Sequence, residues 1–237
     1  MLRSFRLGEA DRVLHVYTAE RGRVGAVAKG VRRTKSRFGG RLEPLSHVEL
    51  MLHQGSGELA TVTGADLRSS HHESREDPYR LAAGLIGAEA MLRLFTDQEA
   101  NERAFTALTR FLDRLDGTPS RTPGQPALDP LVLSFQLKLL WVSGYLPHLE
   151  SCVECGAVEG LVGYLPAAAG AVCRSCSGPG TIPLSTEGAR AIQTLVATPL
   201  ADAGEAGLTE SRAREALAIV RASYEHQGGF RLRTLSA

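Results

Sequence analysis

Cys152-Val153-Glu154-Cys155 and, seventeen residues on, Cys173-Arg174-Ser175-Cys176 decide how the carboxyl-terminal part of this chain is read, because they hold all four of its cysteines. The pattern is C-x2-C-x17-C-x2-C. Each close pair lets one turn of backbone present two sulfurs to the same ion, and the spacer is long enough to bring the second pair round to it. The spacing therefore predicts one tetrahedral Zn2+ per chain, held by Cys152, Cys155, Cys173 and Cys176. Four thiolates close all four positions, so the metal is structural, with no place for a reacting water. Redox use would call for a single C-x-x-C beside a βαβ pattern, and neither pair has one. Two disulfides would imply an oxidising compartment, yet no apolar signal stretch opens the sequence. His71-His72-Glu73 has the H-x-E form of zinc deaminases, but Ser151 and Val172 stand where those enzymes place a proline before C-x-x-C.

Around this segment, about residues 147–182, the pattern is helical. Asp77-Pro78 starts one helix, with Leu81, Leu85, Ala88, Leu92 and Phe95 on one face. A second runs from about Asn101 to Asp116-Gly117. Thr118 to Ala127 holds three prolines and a glycine and reads as a loop. Asp129-Pro130 repeats the cap-and-proline start of a helix that is apolar nearly all round to Val142, which marks a buried centre. Two more helices are predicted from Ser185 and from Thr209, the last ending near Gly228-Gly229.

Residues before about 72 read as strands: Val13–Thr18, Val24–Ala28, and a hairpin of Leu45–His53 and Glu58–Ala65 around Gln54-Gly55-Ser56-Gly57. Short, curved antiparallel strands suggest a small, partly open barrel of the oligonucleotide-binding (OB) type. The expected class is thus α+β, with an all-β domain over residues 1–72 and a helical domain with an inserted zinc module over residues 73–237.

Net charge is +1, but it is unevenly placed. Residues 1–50 carry eleven Arg and Lys against five Asp and Glu, a balance of +6, and the rest carry sixteen against twenty-one, a balance of −5. Lys29, Arg32, Arg33, Lys35, Arg37 and Arg41 fall within thirteen residues that include no acid. Such a run, interleaved with Gly and Ser, predicts a mobile loop that meets phosphates. Arg12 and Arg23 are secondary candidates on the barrel. Phe38 is expected to anchor the loop more than to stack on a base.

Composition is that of a globular protein, 43% hydrophobic and 22% charged. The longest apolar run, Leu131–Val142, is broken by Ser134, Gln136 and Lys138 and is too short to span a membrane. A cytoplasmic location is expected. The chain has no G-x-x-x-x-G-K-[ST], no G-x-S-x-G and no H-E-x-x-H, so nothing in it points to an enzyme.

Several motifs then resemble one family. Gly8-Glu9-Ala10-Asp11-Arg12, Tyr17-Thr18-Ala19-Glu20-Arg21-Gly22, Ala28-Lys29-Gly30-Val31-Arg32-Arg33 and Ser36-Arg37-Phe38-Gly39-Gly40-Arg41-Leu42-Glu43-Pro44 are similar, in order and spacing, to the amino-terminal domain of RecO, the bacterial recombination mediator. Gly57-Glu58-Leu59 and the ending Phe230-Arg231-Leu232-Arg233-Thr234 fit as well. The resemblance implies binding of single- and double-stranded DNA and annealing of complementary strands. It also implies help in exchanging single-strand binding protein for RecA, often with RecR, in DNA repair at the bacterial nucleoid. Only seven residues precede Gly8, fewer than a full first strand, so the natural start is expected upstream. Some family members lack the four cysteines, which favours a scaffolding role for the zinc. Two other classes compete: a zinc-containing RNA- or transcription-associated module, favoured by preference for RNA, and a protein-recruiting adaptor, favoured by partner binding without DNA affinity.

Overall fold

Alternation of apolar and polar residues builds the first sheet. In a computed structural model, which describes residues 1–117 and 124–235, β1 (Arg3–Leu7), β2 (Asp11–Thr18), β3 (Gly22–Ala28), β4 (His47–His53) and β5 (Ala60–Ser69) lie in the order β1-β2-β3-β5-β4. The pairs are antiparallel except β3 with β5, which is parallel. That order is the topology of the OB barrel, as expected from the sequence. Leu14 and Val16 on β2, and Val24, Ala26 and Ala28 on β3, point inward and are buried, joined by Val62 of β5. The small side chains on β3 let the sheet curve, and register shifts along β4 and β5 bend the hairpin over the core. β1 and β4 are the two edges, bridged near Leu45, whose N–H donates to the Met1 carbonyl at 2.9 Å. β1 fills the stretch before Gly8 that by its length reads as less than a full first strand, and all five of its residues pair with β2.

Three helices follow: α1 (His72–Glu76), α2 (Pro78–Leu94) and α3 (Glu102–Asp116). The Asp77 cap read from the sequence forms, and the helix expected from about Asn101 is capped by that residue. Asp77 accepts the Arg80 N–H at 2.9 Å, and Asn101 accepts that of Ala104 at 2.9 Å. The strand-to-helix change lies between Ser69 and His72, whereas the division into compact units falls later, at Met1–Ser120 and Arg121–Ala237. The sheet and α1–α3 thus form the first unit. His71 is buried within it at 1% exposure, in the left-handed backbone region. Its Nδ1 lies 2.9 Å from the Leu45 carbonyl and its Nε2 2.8 Å from an Asp113 carboxylate oxygen on α3. His71 is thus a clamp between the loop before β4 and the third helix.

In the second unit, α4 (Pro130–Val142) begins at Asp129, which accepts the Leu131 N–H at 2.8 Å. It is buried almost all round, as its apolar sequence requires, and packs on α5 (Thr186–Ala197) and α6 (Glu210–His226). Its polar residues find partners there: Ser134 donates to the Leu195 carbonyl at 3.1 Å, Lys138 to that of Val196 at 2.7 Å, and Gln136 accepts from the Tyr224 hydroxyl at 2.6 Å, while the buried Gln136 Nε2 has no partner among the described residues. Between α4 and α5 lies a small antiparallel sheet of β6 (Leu161–Leu165), β7 (Gly170–Cys173) and β8 (Ile182–Pro183), in the order β7-β6-β8. Of the loop expected over Thr118–Ala127, residues 118–123 lie outside the described residues, and Pro126–Leu128 makes a 3-10 turn. No helix among the described residues is long and apolar enough to cross a membrane.

Candidate nucleic-acid interface and cysteine cluster

The basic segment between β3 and β4 is a chain of turns pinned to the barrel, not the open, mobile loop that its composition suggests. Backbone N–H groups of Arg33, Ser36, Gly39 and Arg41 donate to the carbonyls of Gly30, Arg33, Ser36 and Phe38 at 2.9–3.2 Å. Gly30, with φ at +67°, gives its N–H to an Asp11 carboxylate oxygen at 2.7 Å, which fixes where the segment leaves β3. Val31, Phe38 and Leu42 drop into the barrel core at 9%, 2% and 1% exposure. Phe38 is therefore an anchor, in line with the sequence reading.

These apolar anchors turn the charged residues outward. Lys29, Arg32, Arg33, Lys35, Arg37 and Arg41 are all exposed. Arg32 donates to the Glu9 carbonyl at 2.9 Å, Arg37 to that of Val62 at 3.3 Å, and Arg41 to that of Arg37 at 3.1 Å. The Arg37 guanidinium also stands 4.8 Å from the Phe38 ring centre. These contacts hold side chains to neutral acceptors, so the positive charges stay uncompensated. Lys29, Arg33 and Lys35 make no side-chain hydrogen bond or ion pair among the described residues.

Arg12 and Arg23 differ. Arg12 pairs with Glu43 at 3.2 Å, and Arg23 pairs with Asp97 at 2.5 Å while also donating to the Leu92 carbonyl at 2.5 Å. Both are half-buried, and both charges are answered within the fold.

The four cysteines converge. Their sulfurs lie within 4.8 Å of one another, with Cys155 and Cys173 at 3.7 Å. A disulfide needs sulfurs at about 2.05 Å. A tetrahedral metal with bonds of about 2.3 Å places them roughly 3.8 Å apart, which is the spacing seen at Cys155 and Cys173. Two backbone turns shape the cluster: Gly156 N–H donates to the Cys152 carbonyl at 2.8 Å, and Ser177 N–H to that of Cys173 at 2.9 Å. Val153 N–H donates to Ala171 on β7 at 2.9 Å and ties the first turn to the second pair's strand. Hydrogen bonding from backbone, first that of Cys173, holds the Cys152 thiol down to about 6. The neighbouring sulfurs, Cys155 first, push Cys176 up to about 12. Sulfurs this close resist joint ionisation unless a cation sits among them, so the donor set fits a divalent metal. The module rests on the helical core, with Tyr164 of β6 buried and its hydroxyl 3.2 Å from Ser223 on α6.

Comparison with known proteins agrees with both halves. The family model described as Recombination protein O N terminal matches residues 1–71, and that described as Recombination protein O C terminal matches residues 75–236. The chain belongs to the RecO family. The DNA repair protein RecO of Rubrobacter xylanophilus is 39% identical over 230 residues, covering 94% of this chain and 87% of the relative. Those of Anaeromyxobacter sp. strain K and Streptomyces griseus are 34% and 36% identical, covering 98% and 94% of this chain and 91% and 89% of the relatives. RecO membership thus rests on nearly the whole chain, not only on the amino-terminal motifs. Sequence reasoning missed His71 as a structural residue. The one signal available was its place between a strand and a capped helix, where a buried polar side chain can bridge two elements.

Proposed function

We propose that this protein is a non-catalytic DNA-binding recombination mediator of DNA repair. The observation that carries the reading is the set of six exposed cations, free of carboxylate partners, displayed by a pinned loop on an OB barrel in a chain of the RecO family. Lys29, Arg32, Arg33, Lys35, Arg37 and Arg41 contact phosphates of single- and double-stranded DNA and release their counterions. Arg12 and Arg23 contribute less, since Glu43 and Asp97 already neutralise them. Phosphate contacts carry no base information, so this loop binds with little sequence preference. Annealing needs no covalent step: cations that screen two polyanions lower the repulsion opposing their encounter, and base pairing completes the reaction.

In this reading the protein anneals strands coated by single-strand binding protein and assists RecA loading on them together with RecR, at the nucleoid in the cytoplasm. The relatives are named as DNA repair proteins, and the resemblance to the RecO family implies these partners. Cys152, Cys155, Cys173 and Cys176 would hold one structural zinc, which supplies a four-way cross-link between two turns that have little core of their own. The test is the annealing rate of complementary strands already covered by single-strand binding protein. Acceleration without ATP, suppressed by salt, is expected. Absence of acceleration while naked strands are still bound would leave only a generic nucleic-acid module.

A further inference from the structure

The outer surface of the first strands carries groups that phosphate binding does not explain. On β2, Leu14 and Val16 face the core, so Val13 and His15 face outward. The register sets Arg3 opposite His15, Phe5 opposite Val13 and Leu7 opposite Asp11, which puts Arg3, Phe5 and Leu7 on that same outer face. Phe5 is 39% exposed and Leu7 45%. The Arg3 guanidinium stands 4.2 Å from the centre of the Phe5 ring, and His15 meets that ring edge-on at 5.6 Å. On β3 the next outward position is Gly25, where a Cβ would come within 2.6 Å of a Leu59 methyl; Leu59, 41% exposed, thus extends the apolar surface across the sheet.

This surface is joined to the basic loop. Arg32 donates its backbone N–H to the Ala10 carbonyl and its side chain to that of Glu9, both at 2.9 Å, in the turn that directly follows Leu7. A ligand held by phosphates along the loop would pass beside Phe5. Apolar groups there gain nothing from a sugar-phosphate backbone, but they match the face of an unstacked base.

We propose that Phe5, flanked by Arg3 and Leu7 on the outer face of β1 and β2, is a stacking platform for the bases of single-stranded nucleic acid whose phosphates lie on the basic loop. The proposal rests on the reading of that loop given above, and it adds a preference for single strands. In a duplex the bases are already stacked inside, so a duplex can use the loop but not the platform. β1 is also a sheet edge, where a second copy could pair. The charge argues against that occupant, because such a contact would bring together the Arg3 and Arg6 of two copies of a strand that carries no carboxylate.

The test measures affinity for labelled oligothymidylate and for a duplex of equal length, by fluorescence anisotropy, with circular dichroism as the check on folding. Phe5→Ala and Phe5→Leu are both expected to lower the single-strand to duplex affinity ratio roughly tenfold, with an unchanged salt slope, while Phe5→Tyr retains the ratio. An unchanged ratio in Phe5→Ala overturns the platform. So does retention of the ratio by Phe5→Leu, which would show burial without stacking. A dimer that becomes a monomer in Phe5→Ala, with the ratio unmoved, would assign the face to a second copy. The combined Arg32→Glu, Arg33→Glu and Lys35→Glu variant tests the loop by itself: if it binds both DNAs normally, the loop reading fails whatever Phe5 does.

Discussion

Replacing Lys29, Arg33 and Lys35 together with alanine should separate binding from folding more cleanly than any other change in the loop. These three are exposed and hold no partner among the described residues, whereas Arg32, Arg37 and Arg41 also tether backbone carbonyls. If all six cations meet phosphates of a single strand, the log–log dependence of affinity on salt has a slope of about −4. Removing three should bring it to about −2. Between 50 and 200 mM salt, that is a loss of roughly 300-fold for the wild type against about 20-fold for the variant. Stability should scarcely move, within about 0.5 kcal/mol, or about 1–2 °C in melting temperature for a chain of this size. Anisotropy titrations of a labelled single strand at four or five salt concentrations give the slopes, and thermal melts give the control. A slope that stays near −4 with an unchanged melt would refute the assignment of these side chains to phosphates. A melt lowered by many degrees would instead show that the three cations hold the loop together.

Phe38→Ala, which empties a fully buried anchor in the barrel core, should cost about 3–4 kcal/mol and lower the melting temperature by roughly 10 °C. His71→Ala leaves the Leu45 carbonyl without its partner and should cost about 2 kcal/mol, with Asp113→Ala milder because that carboxylate is mostly exposed; denaturant titration of both single variants and the double measures the coupling. Elemental analysis of the folded protein should return one zinc per chain, none should remain in Cys152→Ser, and a strong chelator should lower the melting temperature of the wild type but not of that variant. Arg23→Ala should cost about 1 kcal/mol of stability and leave the salt slope nearly unaltered, because its charge is already met by Asp97.

Much of this architecture could be read from the chain because local signals agreed with the tertiary outcome. Asp77, Asn101, Asp129, Ser185 and Thr209 each sit one residue before a helix and each accepts an N–H from its first turn. The all-round apolar sequence of α4 could be satisfied only at the centre of a helical unit, and it lies there. The cysteine spacing set which sulfurs would meet, since two backbone turns of fixed shape leave little freedom. β1 and α1 were the least legible elements because their identities come from neighbours. Arg3–Leu7 is too short for its Phe5-Arg6-Leu7 alternation to mark a strand by itself and is fixed by pairing with β2, and His72–Glu76 is a single helical turn directly after the buried His71.

The binding surface was less legible than the fold, for a reason that applies to charge runs generally. Sequence shows how many cations a segment holds, but their effect on a polyanion depends on whether the fold has already neutralised them. Arg12 and Arg33 look alike in the chain. Arg12 lies on a strand within reach of Glu43, and that pair is formed before any ligand arrives. Arg33 sits on a turn whose neighbours Val31 and Phe38 are drawn into the core, and no carboxylate pairs with it. The buried aromatic and aliphatic anchors therefore determine the electrostatics as much as the basic residues do. They fix the backbone of a segment rich in glycine and charge, and they leave its cations facing water at little cost in stability. A loop without them would have to be ordered by the ligand itself, and its affinity would be lowered by that ordering entropy.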